Sequence, residues 1–315
     1  MTGIPRLIVD CDPGHDDALA LVLADVRADL VGITTVGGNA PLIDVTRNAL
    51  IVSQVYGIDA PVHVGSARPL VAEPRNALEI HGTHGLAGPV LPEIERAVAS
   101  ESAIEWMIET TRADEGIWLV PIGPMTNIAQ VLRLAPDVAG RIAGVSFMGG
   151  SGGVGNHGPV SEFNALVDPE ALHVVLSAPI ADIRMAGLDL THQFVVDDAL
   201  ERDLRAIGDV GGTFAADMVA AYLEAMVGRT GRRQGGLHDP CAVLAVTDPD
   251  VITSTPRHVA VELRGELTRG MTVVDQRSGD RHTNVAHGHT LDHDAARRIV
   301  LDAVAARANV AGSAA

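Results

Sequence analysis

The chain has 315 residues, 47% of them hydrophobic, a net charge of −17 and only two cysteines. That much apolar material fills a sizeable core, as one large domain or two small ones, while the acidic balance argues against nucleic acid or an anionic membrane as a partner. Cys11 and Cys241 are too few for a disulfide framework, and their apolar neighbours suit buried thiols in a reducing cytoplasm.

The first strand signal, residues 7–9, follows directly on the N-terminus with no charged-then-apolar leader, and no uncharged run is long enough to span a bilayer. The expectation is a soluble, cytoplasmic protein. Residues 10–17 form a turn punctuated by Pro13 and Gly14, and the amphipathic run from Ala18 starts a helix. Residues 30–36 are β-branched and read as a buried strand, 46–55 as a helix and 61–64 as a short strand. Residues 66–92 are rich in Pro and Gly without a period, and a loop of that length is usually functional or disordered.

Further on, the pattern gives a helix over 102–112, a strand over 117–120, a helix from the 123–127 turn to Leu134, and a strand over 145–148. A second glycine-rich loop covers 149–158, then a helix 169–176 and a strand 180–183. Residues 197–227 read as two or more helices, 259–263 and 271–275 as late antiparallel strands, and 294–306 as a closing helix. Such alternation predicts an α/β fold, a single domain over residues 1–310 with a loose tail over 311–315. Its open, mainly parallel but mixed sheet would carry helices on both faces around a Rossmann-like core. Ligands of such sheets bind beyond the carboxyl ends of the strands, and the polar clusters after Val9, Val36, Val120 and Met148 all fall there.

The densest cluster is Asp10, Asp12, Asp16 and Asp17. Like charges this close raise one another's pKa unless a cation gathers them, and carboxylate oxygens suit a hard cation such as Ca²⁺ or Mg²⁺. Helix capping is the competing explanation for Asp16 or Asp17, but it leaves Asp10 and Asp12 unexplained. Further along, Asp239 in Leu237-His238-Asp239-Pro240 is either a cap or a ligand, and spacing alone favours the cap. Asn156, Glu162 and Asn164 lie in or beside the second glycine-rich loop, where amides and a carboxylate can grip sugar hydroxyls or simply make a polar loop.

The first cluster resembles the DxDxxxDD signature of the nucleoside hydrolases, the inosine–uridine nucleoside N-ribohydrolase family. Haloacid dehalogenase phosphohydrolases also open with DxD after a strand, but they want Thr or Val where this chain has Gly14. The Glu162-Phe163-Asn164 and His238-Asp239 elements follow in the family's order, and residues 123–127 are similar to its GPLTN turn. Together these elements are specific, and the resemblance covers nearly the whole chain.

The resemblance implies the following roles. Asp12, Asp17, Asp239 and the backbone carbonyl of Ile122 hold Ca²⁺, which chelates the ribose diol and a water. Asp12 acts as general base and His238 as general acid. Asp16, Asn164 and Asn39 bind the sugar region, Asn156 and Glu162 the 5′-hydroxyl end, and Asp239 also touches substrate. His81 lies near the base. The implied reaction is calcium-dependent hydrolysis of ribonucleosides to base and ribose, by a homodimer or homotetramer. The chain departs from the pattern over residues 227–234, where some members carry a Tyr and this one does not. The alternatives are a metal-dependent phosphohydrolase with Asp10 as nucleophile, or a non-catalytic calcium-dependent nucleoside or sugar binder. The phosphohydrolase would need a downstream Lys, and the chain has none.

Overall fold

The computed structural model describes residues 3–277 and 282–308. The tail expected over 311–315 lies outside the described residues.

The sheet starts at β1 (Arg6–Cys11), whose apolar run alternates between two cores. Leu7 and Val9 face one apolar cluster and Ile8 the other, the period-2 geometry of a strand buried on both sides. The chain moves outward through α1 (His15–Arg27), β2 (Asp29–Thr35), α2 (Leu42–Tyr56) and β3 (Val62–Val64). It then crosses back. After α3 (Leu78–His81) and α4 (Ala103–Ala113), β4 (Trp118–Pro121) pairs with the other side of β1. The sheet continues through α5 (Thr126–Leu134), β5 (Gly144–Met148), α6 (Phe163–Val167), α7 (Pro169–Ser177) and β6 (Ile183–Ala186). The eight-stranded order is β3-β2-β1-β4-β5-β6-β12-β9. The order reverses between β1 and β4, and that switch point opens a crevice at the strands' carboxyl ends.

The rest of the chain covers this frame. α8 (Leu188–Thr191), β7 (Val195–Val196), α9 (Asp198–Ala206), α10 (Val210–Thr230) and β8 (Gly235–Gly236) lead into α11 (Pro240–Thr247). β9 (Ile252–Arg257), β10 (Val259–Val261), β11 (Thr272–Val274), β12 (Val285–Leu291) and α12 (His293–Ala308) complete it. α1, α10, α11 and α12 pack over one face, with Leu19, Leu23, Val243 and Val300 in their shared core. Ile128, Phe147 and Val175 centre the other.

The mixed α/β architecture is as expected, with differences in detail. β6 runs three residues later than residues 180–183, because Arg184 is tolerated inside it. Its guanidinium sits 4.4 Å from the Trp118 ring centroid and pairs with Asp182 at 2.8 Å. β9 and β12 were not legible. β9 is a half-exposed antiparallel edge containing Pro256, and two histidines and a glycine interrupt the apolar pattern of β12. β10 and β11 do pair antiparallel, but as a separate ribbon. By length and composition α10 could cross a membrane; it carries Asp217, Glu224 and Arg229 and packs against α9 and α12.

Candidate active site

The aspartate turn leaves β1 at the switch point. Asp10, still on the strand, is fully buried. Its Oδ1 accepts from Thr34 Oγ1 at 2.5 Å and Asn127 Nδ2 at 2.7 Å, and its backbone carbonyl accepts from Ile122 N at 2.8 Å. Asp10 therefore ties β1 to β2 and to the loop carrying Ile122. Among the described residues its Oδ2 has no hydrogen-bond partner, and burial raises its pKa to about 7.

Asp12 follows in a slot that only glycines permit. A Cβ on Gly38 would lie 2.0 Å from Asp12 Oδ2, and one on Gly123 would lie 2.6 Å from Oδ1. Oδ2 accepts from Asn39 N at 2.7 Å. Oδ1 is buried, lies against Gly123 and has no hydrogen-bond partner among the described residues. Burial, then the charge of Asp17, pushes its carboxyl well above the usual range.

Asp17 does part of the capping foreseen for it. Its Oδ2 accepts from Gly14 N at 2.9 Å, and its Oδ1 from Asp12 N at 3.1 Å. These bonds hold the turn closed at the head of α1. Burial and the neighbouring Asp16 nevertheless raise its pKa to about 7.

Asp239 does not cap. It opens α11, but its side chain makes no bond to that helix. Its carboxylate joins the other acids instead: oxygens of Asp16, Asp17 and Asp239 lie within 4.8 Å of one another. Burial and the three nearby aspartates push Asp239 well above the ordinary value. Asp12, expected among the ligands, stands outside that closest trio, whereas Asp16, expected only to bind sugar, is inside it.

Asp16, Asp239 and Ile122 line a cavity of about 460 Å³, together with Asn39, His81, Asn156, Glu162, Asn164 and His238. Nine of the eleven expected site residues thus share one cavity, and the other two, Asp12 and Asp17, are buried at its floor. Several of the nine are already engaged. Asn164 donates through Nδ2 to Ile122 O at 2.8 Å and Met148 O at 3.2 Å, which fixes its amide. Glu162 caps α6, accepting from Asn164 N and Ala165 N, and also from Gly150 N at 2.9 Å. Asn156 Oδ1 accepts from Phe163 N at 3.0 Å.

Four histidines line the cavity, His81, His157, His192 and His238, and His81 and His238 are the two expected at the site. His81 Nδ1 accepts from His15 N at 3.3 Å, and burial lowers His81 to about 4. His238 Nδ1 contacts Thr191 Oγ1 at 2.8 Å, and burial, partly offset by Asp16, lowers it to about 4. The long loop that brings His81 here is tied to the aspartate turn by Asn48, whose Nδ2 donates to Pro13 O at 3.0 Å and His84 O at 2.8 Å.

The cavity also has a wall the sequence did not reveal: Tyr222, His192, Arg229, Arg232 and Gln234. Residues 227–234 lack a Tyr, but Tyr222 reaches the cavity from further back on α10. Its hydroxyl donates to Gly236 O at 3.1 Å and accepts from Gly236 N at 3.2 Å, bracing the strand that leads to His238.

Every group at the floor is an oxygen donor, and the buried acids lack a counter-charge among the described residues. That donor set fits a hard divalent cation and no soft one. Acids gathered under a ligand-sized cleft at the switch point of an open sheet define an α/β protein with a candidate metal centre in its ligand cavity.

The sequence profile of the inosine-uridine preferring nucleoside hydrolases matches residues 7–298, and the chain belongs to that family. It is 40% identical to an inosine-uridine preferring nucleoside hydrolase of Leishmania major, over 95% of this chain and 97% of that one. It is also 40% identical to a pyrimidine-specific ribonucleoside hydrolase of Salmonella agona, covering 85% and 88%. The structure of a purine-preferring ribonucleoside hydrolase from Gardnerella vaginalis superposes with a TM-score of 0.90 at 29% identity, covering 97% and 99%.

Proposed function

We propose that this chain hydrolyses the N-glycosidic bond of ribonucleosides, releasing free base and ribose, with Ca²⁺ as its resident metal. The observation that carries this is the acid floor: three carboxylates within 4.8 Å, and beside them a buried Asp12 oxygen with no hydrogen-bond partner among the described residues. Asp12, Asp17, Asp239 and the Ile122 carbonyl would hold the cation. When bound, Ca²⁺ offers six to eight oxygen positions for the ribose diol and a water, and lowers that water's pKa.

The remaining roles belong to side chains. Asp12 takes a proton from the attacking water. Asp16, Asn39 and Asn164 engage the ribose hydroxyls, Asn156 and Glu162 the 5′-hydroxyl end, and Asp239 touches both metal and substrate. As the bond to the base breaks, positive charge develops on the sugar, and the adjacent carboxylates stabilise it. His81 lies beside the base. His238 delivers the proton that lets the base leave neutral rather than as an anion.

One catalytic unit over residues 1–310 would carry this chemistry, acting on a small-molecule ribonucleoside and on neither nucleic acid nor membrane. We assign it to the cytoplasm, which agrees with its two free, buried cysteines. A homodimer or homotetramer is supported by family resemblance, and light scattering tests it. The deciding experiment is a screen of common ribonucleosides for base release, with and without a calcium chelator. Binding without turnover, or turnover indifferent to chelation, would reject the proposal.

A further inference from the structure

Three stretches far apart in sequence contribute to one side of the cavity: α3 through Ile80 and His81, the glycine-rich loop through Asn156, and the last turn of α10 through Arg229. The guanidinium of Arg229 joins them. Its Nη2 donates to the backbone carbonyl of Asn156, and its Nη1 lies 3.7 Å from Glu79 Oε1 on α3. The Arg229 side chain is 35% exposed and that of Glu79 56%, so the bridge lies at the solvent edge of the cavity.

The glycine-rich loop is anchored where it starts and where it ends. Ser151 N donates to Thr272 Oγ1 at 2.7 Å and Gly152 N to Asp189 Oδ2 at 2.6 Å. Ser161 Oγ donates to Arg269 O at 2.9 Å. Among the described residues, Arg229 is the one side chain from outside 149–163 that hydrogen-bonds the stretch between, residues 153–160. Asn156 lies in that stretch. Its Oδ1 accepts from Phe163 N at 3.0 Å and its carbonyl accepts from Arg229. Its Nδ2 has no hydrogen-bond partner among the described residues, which leaves that donor for a ligand.

We infer that Arg229 is a positioning residue: it clasps the Asn156 carbonyl to α3 across the edge of the cavity and so holds the Asn156 amide ready for the ligand's 5′-hydroxyl. A stretch holding Gly153, Gly155 and Gly158 has much backbone freedom to lose. A charge-assisted hydrogen bond is about twice as strong as a neutral one, and a planar guanidinium can serve two acceptors at once. An ion pair as exposed as Arg229–Glu79 adds little to global stability. The effect of the clasp therefore falls on the ligand contact and not on the fold.

This inference rests on the proposed role of Asn156 at the 5′-hydroxyl end. The test compares the wild type, Arg229→Met and Glu79→Gln as full-length proteins, on the active ribonucleoside and on its 5′-deoxy analogue. The wild type should prefer the parent nucleoside in kcat/KM by at least about tenfold, and Arg229→Met should narrow that preference about fivefold, the size of one lost hydrogen bond. Glu79→Gln should narrow it less. All three should cleave the 5′-deoxy analogue at similar rates. Hydrogen exchange read by mass spectrometry reports the clasp itself: amides of residues 153–160 should exchange at least about threefold faster in Arg229→Met, with α11 unchanged.

An unchanged preference in Arg229→Met would overturn the inference, as would unchanged exchange over residues 153–160. A wild type indifferent to the 5′-hydroxyl would remove the role of Asn156, and the inference with it. If the wild type cleaves neither substrate, the hydrolase reading fails, and the exchange data still decide whether Arg229 holds the loop. If Arg229→Met does not fold, Glu79→Gln decides: the inference requires it to narrow the preference and to speed exchange over the same residues.

Discussion

Asn39 grips Asp12 from two directions. Its backbone N–H donates to Oδ2 at 2.7 Å, and its side-chain Nδ2 donates to the Asp12 carbonyl at 3.2 Å. The same Nδ2 reaches Asp17 Oδ2 at 3.2 Å. One residue on the turn after β2 therefore orients two of the expected metal ligands. Asn39→Ala keeps the backbone bond and removes the other two. Groups that orient metal ligands typically contribute ~10–100-fold in affinity or activity. Calcium titration of the variant by calorimetry should show a loss in that range; wild-type affinity would mean that the backbone bond suffices.

Asp12 itself should be indispensable. Protein purified without added metal should contain about one Ca²⁺ per chain, as expected for a single carboxylate site. Asp12→Ala should release no base while keeping the wild-type circular dichroism spectrum. The site tolerates this change because the slot formed by Gly38 and Gly123 only gains room. Full activity in the variant, or a site occupied only by zinc, would contradict the assignment.

His238→Ala should separate substrates by leaving group. Natural bases leave poorly as anions and need a proton, whereas nitrophenolate does not. General acid catalysis is typically worth ~10²–10⁴-fold. A loss of that size on the active ribonucleoside, with a much smaller one on p-nitrophenyl riboside, is the expected pattern. Equal losses would make His238 a support for Asp239.

The ribose 2′-hydroxyl should matter to turnover as well as to binding. A site built to pair a hydroxyl can reject its absence by ~10⁴-fold, and contacts that tighten in the transition state appear in kcat. We expect such a ratio of kcat/KM between uridine and 2′-deoxyuridine, or inosine and 2′-deoxyinosine. A ratio below about tenfold, ~1.4 kcal/mol, is too small for chelation of the diol.

His63, remote from the acids, predicts a pH effect on stability. It stacks on Trp106 with centroids 3.9 Å apart, and its Nδ1 contacts Ser100 Oγ at 2.8 Å. Burial lowers its pKa to about 4, against ~6.5 in an unfolded chain. Between those values the unfolded chain binds more protons, so this contribution is complete above pH ~6.5 and is lost as pH falls toward 4. His63→Gln should cost about 1 kcal/mol at neutral pH. Urea denaturation should show the gap between wild type and variant narrowing from pH 7.5 to 4.5. A constant or widening gap would mean that His63 does not titrate on unfolding.

The local pattern of the chain determined most of the parallel half of the sheet. Residues 30–36 and 145–148 are apolar runs covered on both faces, so they read as strands without tertiary help. The aspartate turn was legible for an equally local reason: four acids within eight residues conflict unless something gathers them. β12 could not be read this way. Its His-Gly-His interior is stabilised by pairing with β6, about a hundred residues earlier in sequence, and with β9, the antiparallel edge that precedes it.

Only the tertiary structure decided what Asp239 does. Its sequence position is that of a helix cap; the fold turns its carboxylate away from α11 and toward Asp16 and Asp17, more than 200 residues earlier. The same holds for Tyr222, Thr191 and Asn39, whose partners Gly236, His238 and Asp12 are set by packing and not by neighbourhood. A side chain's chemistry is written in its residue type, but a hydrogen bond or a shared cation also needs a direction, and direction is fixed only when the elements on either side of β1 close over the switch point.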